Sequence, residues 1–355
     1  MNRPPVLKPP KERVVEIRNP NFRPGTTAAM RDVVFKFTQE GVTTAALGDM
    51  ICWMPAIKFI AENYNYVTGH LIVPAYFMDV AQSIMREYPH WRIHTKIPER
   101  LDGCQMRSQI VDTVNATHMH LVDLGFIYFA MTLPPTPESR NYIELDLEDV
   151  ELPKVFGKRF GDTPYAVMTP GTTTGNRAMP PDIYNGICDH LLLKGVTPVH
   201  LGRTEMPGRA QQPMFNKGYD LTKGVNLIDR TTLLEAAKVM SLSEMVLGID
   251  NGLLHLAGTT DAAIIFGYTM AGPNQRRIYR KNGHTMELYP DKKELPCFSC
   301  QEHVCFFYQH NFTTCIYKEE VPMCVKILTK ESWTAGIDMI LDERREKREE
   351  ETFNF

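Results

Sequence analysis

The chain has 355 residues, of which 43% are hydrophobic, enough for about two domains with cores of their own. Its formal net charge of -3 gives no overall signature of nucleic-acid binding. The sequence shows no apolar run of about 18 residues and no apolar signal segment after Met1, so a cytoplasmic protein without a transmembrane segment is expected.

The first part of the chain predicts an extended arm followed by alternating strands and helices. Residues 1–28 carry many prolines among polar residues, which favours an arm without helix or central strand. Apolar residues at helical spacing predict helices beginning near Met50 and Phe77. Gly48 and Asp49 therefore precede the first helix. Strands are predicted at Asp32–Phe37, His70–Pro74, Trp91–Ile97 and Thr117–Leu124.

A second α/β series follows a linker-like segment. The acidic run Glu144–Glu151 is interpreted as part of a linker with a surface strand. The series on either side predicts two doubly wound Rossmann-like domains facing a central cleft, at residues 29–150 and 151–329. Residues 330–355 predict a helix that packs back on the body and ends in a charged tail. Strands of the second series are predicted at Tyr165–Thr169, Val196–Leu201, Asn226–Ile228, Met245–Ile249 and Ala262–Phe266.

The stretch from Met245 to Ala257, M-V-L-G-I-D-N-G-L-L-H-L-A, predicts a buried strand, a tight turn and the start of a helix. In an open α/β sheet this turn lies at the carboxyl edge, where free N–H groups of the next helix attract anions. We interpret it as a diphosphate-binding site, in which Gly252 lets the backbone approach the phosphate and His255 lies in the first helical turn. The alternative is an ordinary turn followed by a core histidine.

Cysteines and histidines offer candidate metal ligands. The cysteine-rich segment 297–324 predicts either core thiols or a structural zinc site with the spacing Cys297-x2-Cys300-x4-Cys305-x9-Cys315. His118 and His120 share one face of a predicted strand, where packing is favoured over metal ligation.

Three segments in this order resemble the heptosyltransferase-like family of glycosyltransferases, glycosyltransferase family nine. They are A-L-G-D-M-I-C-W-M-P-A-I at 46–57, the glycine and threonine loop 170–180, and D-N-G-L-L-H-L-A at 250–257. L-I-D-R-T-T-L at 227–233 is similar to the family's L-x-G-K-T-S-L. Arg177 occupies the family's lysine position, Met179 its tryptophan position, and Asn251 its serine or threonine position. The resemblance implies the GT-B architecture and inverting sugar transfer from a nucleotide-diphosphate donor.

For the acceptor side, the resemblance implies that Asp49 is the general base, with a helix N-cap as the alternative role of this aspartate. Gly48 belongs to the same junction, and Arg276 and Arg277 are predicted to face the acceptor. The acceptor is expected to be a glycan or a hydroxylated nucleic-acid base.

For the donor side, the leaving diphosphate is expected against the N–H groups after Gly252 and against Arg177, whose alternative role is a surface charge. Asp250 is expected to hold sugar hydroxyls and Glu205 to meet the ribose. Because a helix dipole and an arginine replace a divalent metal, metal-independent transfer is predicted. The complete predicted donor set is Thr172, Thr173, Thr174, Arg177, Glu205, Asp250, Asn251, Gly252 and His255.

An alternative of another class is a nucleic-acid or protein-binding module without transferase activity. A basic patch and a zinc element built by the cysteines would serve it. The patch consists of Arg276, Arg277, Arg280 and Lys281.

Overall fold

The computed structural model describes residues 32–37, 46–63, 68–98, 105–108, 119–127, 140, 143–154, 163–172, 177–205, 218–300 and 321–353. The predicted arm of residues 1–28 lies outside these ranges. Within them, no helix is both long enough and apolar enough to cross a membrane.

The first sheet has four parallel strands in the order β3-β2-β1-β4. Its core face is aromatic and aliphatic, with Phe35 stacked on Trp91 at 5.6 Å between ring centroids. The strands are β1 (Asp32–Lys36), β2 (Thr68–Ile72), β3 (Trp91–His94) and β4 (Gln105–Ser108). The helices beside them are α1 (Leu47–Asn63), α2 (Met78–Met85) and α3 (Leu121–Gly125).

The second sheet has six parallel strands in the order β10-β9-β8-β5-β6-β7. This is the Rossmann order, in which successive strands are added in one direction from β5 and in the opposite direction from β8. The strands are β5 (Tyr165–Met168), β6 (Thr197–His200), β7 (Val225–Asn226), β8 (Met245–Ile249), β9 (Ile264–Gly267) and β10 (Thr285–Leu288). The helices are α4 (Pro181–Leu193), α5 (Leu233–Ser241), α6 (Gly252–Ala257), α7 (Pro273–Arg276), α8 (Met323–Lys326) and α9 (Lys330–Phe353).

The long terminal helix α9 packs on the second sheet as predicted. Trp333, Ile337 and Ile340 are buried in a cluster with Ile265 of β9. Gly267 makes room for this helix, because a Cβ there would come within 2.9 Å of the Trp333 ring. The charged end of α9 is held against the second half of the protein by Arg348, which donates to the Glu244 carboxylate at 2.5 Å and 2.6 Å.

The predicted α/β class with two parallel Rossmann-like sheets is confirmed, while the proposed domain boundaries stay predictions. Two segments predicted to form strands do not do so in their described parts. The strand predicted at Thr117–Leu124 is wrong in its described part, because α3 occupies Leu121–Gly125 and the His120 ring accepts a hydrogen bond from the Val122 N–H as its N-cap. Thr117 and His118 lie outside the described residues. The acidic run Glu144–Glu151 contains no strand, since its backbone follows an irregular path on which Leu145 N–H donates to Thr259.

Candidate functional site

The predicted diphosphate-binding site lies between β5 and β8, where the order of the strands in the second sheet changes direction. β5 and β8 are neighbours there, and the helices that follow them, α4 and α6, pack in different core clusters. In open α/β sheets this is the position where ligands bind, beyond the carboxyl ends of the strands. Residues 169–172 continue from β5 and 250–252 from β8. Thr172 is buried, whereas Thr173 and Thr174 lie outside the described residues. The topology thus places two of the predicted donor loops side by side.

Asn251 organises the turn between β8 and α6. Its side-chain oxygen accepts from the backbone N–H groups of Leu253 and Leu254 at 3.0 Å and 3.2 Å, which makes it the N-cap. Its amide group donates to both the carbonyl and the hydroxyl of Thr169. Two N–H groups that the sequence assigned to the diphosphate are therefore satisfied within the chain, and Asn251 joins the ends of β5 and β8.

Arg177 is joined to the carboxyl end of β8. Its Nη1 donates to the Asp250 carbonyl at 3.2 Å and to the Asp250 carboxylate at 3.3 Å. The Arg177 side chain is 21% exposed and that of Asp250 is 4% exposed. The alternative role of Arg177 as a mere surface charge is thus wrong. Asp250 thus holds the guanidinium at the carboxyl end of β8, and a guanidinium is a group that binds phosphate oxygens well.

His255 is buried between two polar partners. Its Nε2 lies 3.3 Å from the Asp250 carboxylate, and its Nδ1 lies 3.6 Å from the thiol of Cys52 on α1. Burial alone lowers the pKa of His255, but the contacts with Cys52 and Asp250 outweigh it and raise that pKa to about 9. Burial likewise opposes ionisation of Asp250, yet His255 and Arg177 hold its pKa well below the usual range. His255 is therefore held inside the protein by Asp250 and Cys52, and its predicted contact with the donor stays a prediction.

The raised pKa of His255 predicts how stability depends on pH. Because the folded state binds this proton more tightly than the unfolded state, the stabilisation is complete below about pH 6.5 and is lost as the pH rises through about 9. The melting temperature of the wild type relative to His255→Gln is expected to fall over this window, by several degrees for a contribution on the order of 3 kcal/mol. A difference that stays constant across the window would contradict the assignment.

Asp49 lies in the first turn of α1, and the helix begins at Leu47 rather than near Met50. It is thus not the N-cap of this helix, although its charge still favours the positive helix end. Its carboxylate lies 3.4 Å from Nη1 of Arg276, which ends α7 beyond β9. The two side chains are 28% and 20% exposed, respectively. Asp49 therefore faces the junction of the two sheets and is paired with a cation from the second.

Two glycines allow α1 and α6 to begin against each other. A Cβ on Gly252 would lie 2.8 Å from the Leu47 Cβ and 3.1 Å from the Gly48 nitrogen. A Cβ on Gly48 would lie 2.9 Å from the His255 ring. Larger residues would separate the helices. This contact brings the predicted base and the predicted donor turn together.

The three arginines of the predicted basic patch are all engaged in contacts within the chain. Arg277 forms two hydrogen bonds with Glu287 at 2.8 Å and 2.7 Å, so its guanidinium is held on β10. Arg280 donates to the backbone carbonyls of Thr260 and Ala262. Only Arg276 of these arginines is brought to Asp49. The arrangement gives no support to a cationic surface for nucleic acid, and it leaves Arg276 as the predicted acceptor-side arginine nearest the base.

His120, whose predicted packing role is confirmed, holds the loop that carries these arginines. Its Nε2 donates to the Arg277 carbonyl at 2.7 Å, and its ring stacks on Tyr279 at 3.8 Å. Burial lowers the pKa of His120 to about 3, so a neutral ring can donate at Nε2 while Nδ1 accepts from Val122. His120 and Cys52 both support the site, although the sequence indicated only packing for His120 and included Cys52 only as part of the 46–57 segment.

Glu205 and Asp229 lie at the carboxyl ends of β6 and β7. Glu205 is exposed on this edge, where its predicted contact with a ribose stays a prediction. Asp229 takes a positive φ of 59° and accepts from both the N–H and the hydroxyl of Thr204. It stands at the glycine position of the L-x-G-K-T-S-L pattern, where a left-handed backbone favours glycine.

The zinc hypothesis gains no support from the described residues. Cys297 and Cys300 are half-buried, and Cys305 and Cys315 lie outside the described ranges. Within those ranges, no group of three or more His, Cys, Asp or Glu side chains is placed to hold a metal ion.

Comparison with known structures supports the fold. TibC from enterotoxigenic E. coli, described as a dodecameric iron-containing heptosyltransferase in complex with ADP-D-beta-D-heptose, aligns with a TM-score of 0.65 and 14% identity over 91% of this chain and 81% of that chain. E. coli ADP-heptose lipopolysaccharide heptosyltransferase II aligns with a TM-score of 0.61 and 11% identity over 89% and 100%. A family 9 glycosyl transferase from Veillonella parvula aligns with a TM-score of 0.58 and 12% identity over 88% and 98%. The chain therefore has the GT-B fold of these enzymes.

Comparison at the sequence level identifies the family. No curated protein sequence gave a significant match. The model of glycosyltransferase family 9 (heptosyltransferase) matches residues 105–305, from β4 through the Arg177 segment, the β8 turn and the Arg276 loop. Because this match covers more than half of the chain, the protein belongs to glycosyltransferase family 9.

Proposed function

We propose that the protein transfers a sugar from a nucleotide-diphosphate donor to a glycan hydroxyl, with inversion at the anomeric carbon. The observation that carries this proposal is the meeting of α1 and α6, which brings Asp49 of one sheet to the Asp250 turn of the other. Sugar transfer needs a base for the acceptor hydroxyl and positive charge for the leaving diphosphate. Beside the first sheet, α1 supplies the proposed base, Asp49, and the second sheet supplies the positive charge of Arg177.

The donor diphosphate is proposed to bind beyond the carboxyl ends of β5 and β8. Arg177 is the principal cation, because the N–H groups of Leu253 and Leu254 are already bonded to Asn251. A guanidinium can hold two phosphate oxygens at once. Asp250 contacts Arg177 through one carboxylate oxygen and His255 through the other, so we propose that it orients these two side chains. Its predicted contact with sugar hydroxyls stays a prediction, because a carboxylate oxygen can accept more than one hydrogen bond. Glu205, exposed on the same edge, is proposed to meet the ribose.

The acceptor hydroxyl is proposed to approach Asp49 from the side of the first sheet. Asp49 takes the hydroxyl proton while the oxygen attacks the anomeric carbon and the diphosphate leaves on the opposite face, which inverts the configuration. Arg276, which contacts Asp49, keeps the carboxylate oriented and adds positive charge to the junction. Because arginines supply this charge, transfer is proposed to need no divalent metal.

The experiment that tests the function is incubation of the purified protein with nucleotide sugars and candidate glycan acceptors, followed by mass spectrometry. ADP-heptose is the first donor to test, because two structural neighbours carry it in their descriptions. The expected result is an acceptor heavier by one sugar residue, with release of a nucleoside diphosphate and the same yield in EDTA. No increment with any donor would refute the function, and loss of yield in EDTA would refute metal independence.

A further inference from the structure

A thiol, an imidazole and a carboxylate form a continuous contact across the junction of the two sheets. Cys52 Sγ lies 3.6 Å from His255 Nδ1, and His255 Nε2 lies 3.3 Å from Asp250 Oδ1. The three residues are 0%, 2% and 3% exposed. Because bulk water does not compete for the sulfur and nitrogen atoms here, these contacts are stronger than they would be on a surface.

The two outer residues of this contact, Cys52 and Asp250, lie in different parts of the proposed active site. Cys52 lies on α1 three residues after Asp49, so the two side chains share one face of the helix. Asp250 follows β8 and holds Arg177. His255 therefore connects the helix that carries the proposed base with the turn that orients the proposed diphosphate cation.

The surrounding packing makes this contact sensitive to the position of α1. The His255 ring lies against Gly48, and the Phe266 ring packs edge-on against it at 5.7 Å between centroids. With the ring confined in this way, a shift of α1 relative to α6 must change the distance between the Cys52 thiol and Nδ1. A thiol can donate to the ring or accept from it, so the contact persists in either charge state of the imidazole.

We propose that Cys52 is a positioning residue, which through His255 holds α1 and its Asp49 in register with the donor turn. This inference rests on the proposed function. It predicts that the hydrogen-bonding capacity of residue 52 matters, beyond its volume. A residue that merely fills the core would behave in the opposite way, because a serine hydroxyl buried without a partner is more costly than an alanine methyl group.

The test compares Cys52→Ala, Cys52→Ser and the matched control Cys188→Ala in the full chain. Cys188 is equally buried but lies on α4 in the other core cluster. Cys52→Ala is expected to lower kcat about tenfold while the affinity for ADP, measured by calorimetry, changes less than about twofold. Cys52→Ser should recover most of the turnover, and Cys188→Ala should keep wild-type kinetics. Equal loss in both Cys52 variants, greater loss with serine, or unchanged kcat with alanine would overturn the proposal.

A second readout does not require turnover. Among the described residues, the titratable and charged groups that act on the imidazole or on its partner Asp250 include Cys52, Arg177, Arg276 and His120. Because Cys52 contributes to the raised pKa of His255, Cys52→Ala should move the alkaline loss of thermal stability to lower pH, and Cys188→Ala should not. An inactive wild type would refute the proposed function, whereas an unshifted pH window would refute the Cys52 contact.

Discussion

Asp49→Asn is expected to lower kcat for sugar transfer by about a thousandfold, while the affinity for ADP changes less than about twofold. Asparagine has nearly the same shape as aspartate and can still accept a hydrogen bond from Arg276, but it cannot take the proton of the acceptor hydroxyl. Asp49 also lies on α1, away from the Arg177 and Asp250 pair proposed to orient the diphosphate. Steady-state kinetics with mass-spectrometric detection and calorimetry with ADP measure the two quantities separately.

The matched control for Asp49 is Asp79→Asn. Asp79 also lies in the first turn of a helix in the same half of the protein, but it is exposed on α2. The same substitution there should leave turnover unchanged, which separates a catalytic effect from the loss of a charge at a helix start. Normal turnover by Asp49→Asn would exclude Asp49 as the base. A parallel loss of ADP affinity would mean instead that Asp49 shapes the donor side.

The elements that the sequence predicted best are those whose apolar residues are most concentrated. β8 has the bounds expected, Met245–Ile249, because five consecutive buried residues end at a turn with a strong capping residue. β4 was missed because Q-M-R-S carries no such signal, and its place in the sheet depends on pairing with β1. α3 was mistaken for a strand because alternating apolar residues over so short a segment do not distinguish the two structures.

The site was predicted as a set of residues but not as a set of contacts. Asp49, Arg177 and Asp250 were all identified from motifs, yet their pairing depends on chain crossings that no local pattern encodes. Asp49 meets Arg276 across 227 positions, and Cys52 meets His255 across 203. Motifs could likewise not show that Asn251 takes the N–H groups of Leu253 and Leu254. Only the fold shows which polar groups remain available to a ligand.

Because Asn251 takes the N–H groups at the start of α6, we expect Arg177 to contribute more to donor binding than the helix start does. Arg177→Met is therefore expected to weaken ADP binding by about 10-fold to 100-fold, the range for loss of hydrogen bonds to a charged group. Methionine retains much of the length of the side chain but removes its charge and donors. Because Asp250 also loses one of the two side chains that contact its carboxylate, a lower melting temperature is expected as well. Calorimetry well below that melting temperature isolates the change in affinity.

Two further variants decide whether Arg177 acts through its charge at this position. Arg177→Lys is expected to keep most of the affinity, because lysine retains the charge and is the residue that the family pattern has there, although it cannot bind two oxygens with a planar fork. Arg345→Met, which replaces a 70% exposed side chain on α9, should bind ADP like the wild type.

If Arg177→Met also binds ADP like the wild type, the diphosphate does not contact Arg177, and the site beyond β5 and β8 must hold its ligand through other groups. If lysine fails as completely as methionine, the planar geometry of the guanidinium rather than its charge holds the donor, which would separate this chain from relatives with lysine at this position.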